Sequence, residues 1–110
     1  MLRIIIAGCG EIGSRHLQAL SLLQESAEIY LIDPSIESMQ NAEQRFYDAL
    51  SNDRQVCNFS LIRSRFDLLP TDVDIAIIAT TSSNRSTVIQ NIYKYCTPRN
   101  LLLEKFLFDN

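Results

Sequence analysis

The chain has 110 residues, 46% hydrophobic and 21% charged, which describes one globular domain and excludes a disordered tail, a collagen-like chain or a multidomain assembly. A formal charge of −3 with eight scattered arginines gives no electrostatic footprint for nucleic acid, and no stretch approaches the roughly 18 apolar residues of a membrane span. Average usage would supply about eight glycines; there are three, all inside one six-residue window.

Residues 2–7 form a short β-branched run that predicts a strand buried on both faces. The glycine window, Gly8-Cys9-Gly10-Glu11-Ile12-Gly13, follows at once. The period then changes: Ile12, His16, Ala19, Leu20 and Leu23 recur at helical spacing and predict an apolar helix face. Residues 28–32 predict a second strand ended by Asp33-Pro34, where proline cannot continue a central strand but suits a helix start. Ser35 is placed as the N-cap of a second helix with Ile36, Met39, Ala42, Phe46, Ala49 and Leu50 as its stripe. Residues 56–62 predict a third, weaker strand and residues 66–69 a short turn of helix before Pro70. Between them Arg63-Ser64-Arg65, the nearest approach to a basic patch, reads as a solvated loop. Residues 73–79 are the strongest strand. A helix striped by Val88, Ile89, Ile92 and Tyr95 comes next, then a stop at Pro98 and a fifth strand from residues 101–103.

Strand and helix alternate, and the strands are nearly continuously apolar. That pattern predicts an α/β fold: a parallel sheet with helices on both faces. Ligands of such sheets bind beyond the carboxyl ends of the strands. The polar and special residues fall at those ends: the glycine window, Asp33, residues 80–84, and Glu104-Lys105.

The window reads G-x-G-x-x-G, placed after a strand and opening a helix. Gly8 permits a tight turn, Gly10 lets a pyrophosphate approach the backbone, and Gly13 lets helix and strand pack closely. The N–H groups of the helix's first turn then face the anion. Asp33 stands 20 residues beyond Gly13 at the end of the second strand, where a dinucleotide site needs an acid for the adenine ribose. Its charge would repel a 2′-phosphate, which favours NAD over NADP, although Arg54 or another distant arginine could offset the repulsion.

Cys9, Cys57 and Cys96 form no CxxC pair, and His16 is the single histidine, so no compact metal site is expected. The thiols read as free and at least partly buried, in a reducing cytoplasm. The N-terminus lacks the pattern of a signal peptide.

These residues, taken together, resemble the Gfo/Idh/MocA oxidoreductases. The resemblance rests on G-C-G-E-I-G-S-R-H-L-Q-A-L, Asp33, Ala79-Thr80-Thr81 after a strand opening Val73-Asp74, and Leu103-Glu104-Lys105. It spans nearly the whole chain but only the N-terminal, cofactor-binding half of the family. It implies a Rossmann-type doubly wound sheet, truncated here after the fifth strand, with the substrate domain absent from residues 1–110. It further implies that Gly8, Gly10, Glu11, Ile12 and Gly13 hold the pyrophosphate and Asp33 the ribose. Thr80, Thr81 and Ser82 line the cofactor, with Glu104 beside it, and Lys105 acts on the substrate. His16 matches a position often held by histidine and reads as a packing or capping residue. Phe106 stands where the family has proline, and Arg85 and its neighbours stand where many members have a histidine.

The function implied is hydride transfer between a nicotinamide cofactor and a sugar, inositol or sugar-derived substrate. By itself the chain would bind NAD(H) weakly or not at all and catalyse nothing. Its open strand edge could pair with another copy. The alternative reading is a non-enzymatic NAD-sensing regulatory module; Glu104-Lys105 and Thr80-Thr81 speak against it. A transferase using S-adenosylmethionine is disfavoured by the third glycine.

Overall fold

A computed structural model describes residues 1–51 and 58–104. Along the chain they form β1 (Leu2–Ala7), α1 (Glu11–Leu20), β2 (Ala27–Ile32), α2 (Ile36–Ser51), β3 (Phe59–Arg63), a 3₁₀ turn (Phe66–Leu68), β4 (Asp72–Ile78), α3 (Ser82–Tyr95) and β5 (Thr97–Leu103). The strands make one all-parallel sheet in the order β3-β2-β1-β4-β5. β1 lies at its centre, with Ile4 in register with Ile29 on one side and Ile75 on the other.

Strand side chains alternate between faces, so each central strand must be apolar at successive positions to be covered twice. Ile4, Ile6, Ile29, Leu31 and Ile77 pack with Leu17 of α1 and Met39, Ala42 and Phe46 of α2. Ile5, Ala7, Ile32, Val73, Ala76 and Ile78 pack on the opposite face with Ile92 and Cys96, beside Phe66 and Leu69. Thus α1 and α2 cover one face and α3 the other, the doubly wound arrangement expected from the alternation. Each of the fully buried large side chains contributes roughly 1.5–3 kcal/mol. Phe46 adds an edge-to-face contact with Phe59, ring centroids 5.5 Å apart.

Four local expectations are corrected. In α1 the buried residues are Gly13, Ser14 and Leu17, while Ile12 and His16 are half-buried and Ala19 exposed. Gly13 has to meet the backbone of Gly8, which fixes that face; a search for large apolar residues passes over glycine and serine. Ile36 and Tyr95, counted in apolar stripes, are exposed, and the Lys94 ammonium lies 5.6 Å from the Tyr95 ring centroid. Pro98 does not end a helix: α3 stops at Tyr95 and Pro98 sits inside β5, paired with Val73. An edge strand tolerates proline because one side of its ladder is unpaired. β3 runs one residue beyond the expected segment, to Arg63, and residues 56 and 57 lie outside those described.

Candidate functional site

Because all five strands run the same way, their carboxyl ends share one edge of the sheet, and the turns that leave them meet there. Gly8 follows β1 with φ +96°, and its N–H donates to the Ile32 carbonyl at 2.8 Å. A Cβ on Gly8 would lie 2.7 Å from the Ala79 carbonyl oxygen. One on Gly13 would lie 1.7 Å from the Gly8 carbonyl oxygen. The fold itself therefore demands both glycines. Gly10 is different: its φ is −71° and, its chain neighbours aside, no atom of the described residues stands within 4 Å of where its Cβ would be. Neither strain nor packing within the chain requires glycine there. It borders open space at the start of α1, where it is the N-cap and no side chain caps the first-turn N–H groups. Those N–H groups, with the positive end of the helix dipole, make an anion cradle that a side chain at position 10 would fill.

Asp33 adjoins this turn. Its Oδ2 accepts from the Cys9 N–H at 2.7 Å and its Oδ1 from the Ser35 N–H at 2.8 Å. Each oxygen keeps acceptor capacity for a ligand hydroxyl. Ser35 Oγ in turn accepts from the Ser38 N–H at 3.1 Å, the capping contact its position implied. Cys9, whose thiol is buried, is pushed up to about pKa 12 by desolvation, with the Asp33 and Glu43 carboxylates adding to it. At neutral pH that thiol is protonated and unreactive.

A cleft of about 480 Å³ opens along the same edge, bounded by Gly8, Asp33, Pro34, Arg65, Phe66 and Thr80. The Thr80 hydroxyl oxygen is buried without a hydrogen-bond partner among the described residues. Thr81 is the N-cap of α3, its hydroxyl 3.0 Å from that of Ser83. Ser82 opens α3. Glu104 ends the described part of the chain, its N–H donating to the Ile78 carbonyl at 2.9 Å. Lys105 and Phe106 lie outside the described residues, as do Arg54 and Cys57.

Of the expected residues, Gly8, Asp33 and Thr80 border one cleft, Thr81 and Ser82 start α3 just beyond Thr80, and Glu104 stands at the end of β5. Sequence reasoning missed the part played by four residues. Ser64 and Arg65, read as a solvated loop, line the cleft that Asp33 borders, while Arg63 is held by Glu43 at 2.6 Å. The signal was available, since in a parallel sheet the end of β3 must reach the same edge. His16, half-buried, makes a contact that the reading as a packing or capping residue did not include: its Nε2 lies 2.8 Å from Glu104 Oε2. Arg85, half-buried, donates from its guanidinium to the Glu104 carbonyl. Both contacts join residues far apart in sequence, which local periodicity does not report.

The fold has known relatives. Among solved structures the chain is similar to Trichomonas vaginalis lactate dehydrogenase in complex with NADH and oxamate, with a TM-score of 0.66 and 15% identity. That match covers 94% of this chain and 38% of the dehydrogenase, so the chain spans well under half of that enzyme's length. A comparison with curated proteins gave no match. The family model for Gfo/Idh/MocA, an oxidoreductase family with an NAD-binding Rossmann fold, matches residues 2–108. The chain belongs to that family as its nicotinamide-cofactor-binding Rossmann domain.

Proposed function

We propose that this chain carries NAD, in preference to NADP, for an oxidoreductase acting on a sugar, inositol or sugar-derived alcohol. The observation that carries the cofactor reading is Gly10, a glycine with no reason inside the fold, beside uncapped helix N–H groups. In this reading the backbone of residues 8–13 holds the pyrophosphate, and Asp33 accepts from the adenine-ribose hydroxyls. The Thr80 hydroxyl, buried and without a partner among the described residues, offers the cofactor a hydrogen bond, with Thr81 and Ser82 following it at the start of α3. Glu104 lies on the far side of the glycine turn from Asp33. Nicotinamide, when bound, supplies the hydride acceptor or donor. Lys105 would hydrogen-bond the substrate hydroxyl or relay its proton, as the residue beside Glu104 at the strand end.

The preference for NAD follows from Asp33, whose carboxylate repels a 2′-phosphate. The substrate class rests on the family. In the parent enzyme a second domain would supply the substrate pocket; with the glycine turn and Asp33 already in place, the chain alone is expected to bind the cofactor weakly, above about 1 μM, and to turn over nothing. Steady-state kinetics of the longer protein with a panel of polyols tests both parts. NAD-dependent oxidation of one of them, with at least tenfold poorer use of NADP, is expected. Binding of NAD(H) without turnover of any polyol would overturn the substrate reading.

A further inference from the structure

We propose that His16 is a positioning residue for the half of the cofactor that lies beyond the glycine turn, acting through Glu104. This inference rests on the dinucleotide reading above. The strand order puts Asp33, after β2, on one side of the glycine turn and Glu104, after β5, on the other. A dinucleotide anchored by its adenosine end at Asp33 therefore runs toward Glu104 with its nicotinamide end.

Glu104 is held at three points by three different elements. Its N–H is fixed to Ile78 at the end of β4, and its carbonyl accepts from Arg85 of α3. Its carboxylate meets His16 of α1 at 2.8 Å. The third tie crosses 88 residues of sequence. It comes from a helix face that does not pack on the sheet, since α1 buries Gly13, Ser14 and Leu17. The two side chains are 27% and 31% exposed and bound an open concavity of about 390 Å³, along with Ile12, Arg15 and Ala19. A half-exposed pair of this kind adds little to fold stability. Its geometric effect is larger. The contact ties the helix that starts at the pyrophosphate cradle to the end of β5.

The discriminating probe is ADP-ribose, which has the adenosine and pyrophosphate of NADH but no nicotinamide. The 110-residue chain is titrated with each ligand by amide-shift NMR, as wild type, His16→Leu and His16→Gln; glutamine keeps a donor where Nε2 stands. His16→Leu is expected to weaken NADH binding roughly five- to tenfold, the effect of one hydrogen-bonded contact, and to leave ADP-ribose within about twofold. His16→Gln restores NADH binding. Unchanged NADH affinity in His16→Leu, or an equal loss for both ligands, would show that His16 is merely structural and overturn the proposal. If the wild-type chain binds neither ligand at millimolar concentration, the dinucleotide reading itself fails, a result distinct from either of those.

Discussion

Gly8, Gly10 and Gly13 share one motif but answer to different forces. At Gly13 a methyl group would collide with a backbone carbonyl at 1.7 Å, an atom that cannot turn aside. Gly13→Ala is therefore expected to lose more than about 3 kcal/mol of stability in urea unfolding, or not to fold. At Gly10 the same methyl group meets nothing. Gly10→Ala is expected to stay within about 1 kcal/mol of wild type, the difference between glycine and alanine at an N-cap, while losing at least tenfold in NADH affinity. A Gly10→Ala chain that binds NADH normally would remove the functional reason for this glycine. The Cys9 thiol gives a second residue-scale test. It is raised from 9.0 to about 12, chiefly by desolvation, so between those values the folded state keeps a proton that the unfolded chain releases. The contribution of this thiol to stability is full below pH 9 and is expected to fall as pH rises toward 12. Tyr30 and Cys96, raised first by burial, act with the same sign. Unfolding midpoints at about pH 8 and about pH 10.5 should fall by an amount that Cys9→Ala reduces; an identical fall in that variant would contradict the assignment.

At the scale of elements, legibility followed the kind of force involved. The strands were plain because burial on both faces forces an unbroken apolar run, as in residues 75–79. Helix α1 was found but its buried face misjudged, because that face is set by backbone approach at Gly13 and not by large side chains. Pro98 was taken as a stop because its tolerance depends on β5 lying at the sheet edge, a property of topology. Asp33 was legible from its spacing, but its bond to the Cys9 N–H was not. That bond makes the acid a part of the turn as well as the proposed ligand for ribose. Asp33→Ser should accordingly weaken NADH binding about tenfold and narrow the NADH-to-NADPH preference toward unity, since the repelling charge is gone. Parallel titrations with the two cofactors measure this. A preference unchanged by the substitution would show that Asp33 does not set it.

Across the whole molecule, one topological fact does most to make the site. Five parallel strands bring four separated polar segments to one edge: the glycine turn, Asp33, Thr80 with Thr81, and Glu104. Alternating strand and helix made that edge predictable from sequence, and so the site was located before its contacts were. The long-range ties from His16 and Arg85 to Glu104 were not predictable, because no local period records a contact across 88 or 19 residues. The most direct test is an amide-shift titration of the 110-residue chain with NADH. Saturable shifts are expected at Gly10, Glu11 and Ile12, with a dissociation constant weaker than about 1 μM, and in Gly10→Ala they should require at least tenfold more NADH. Unmoved amides in that turn at millimolar NADH would contradict the cradle.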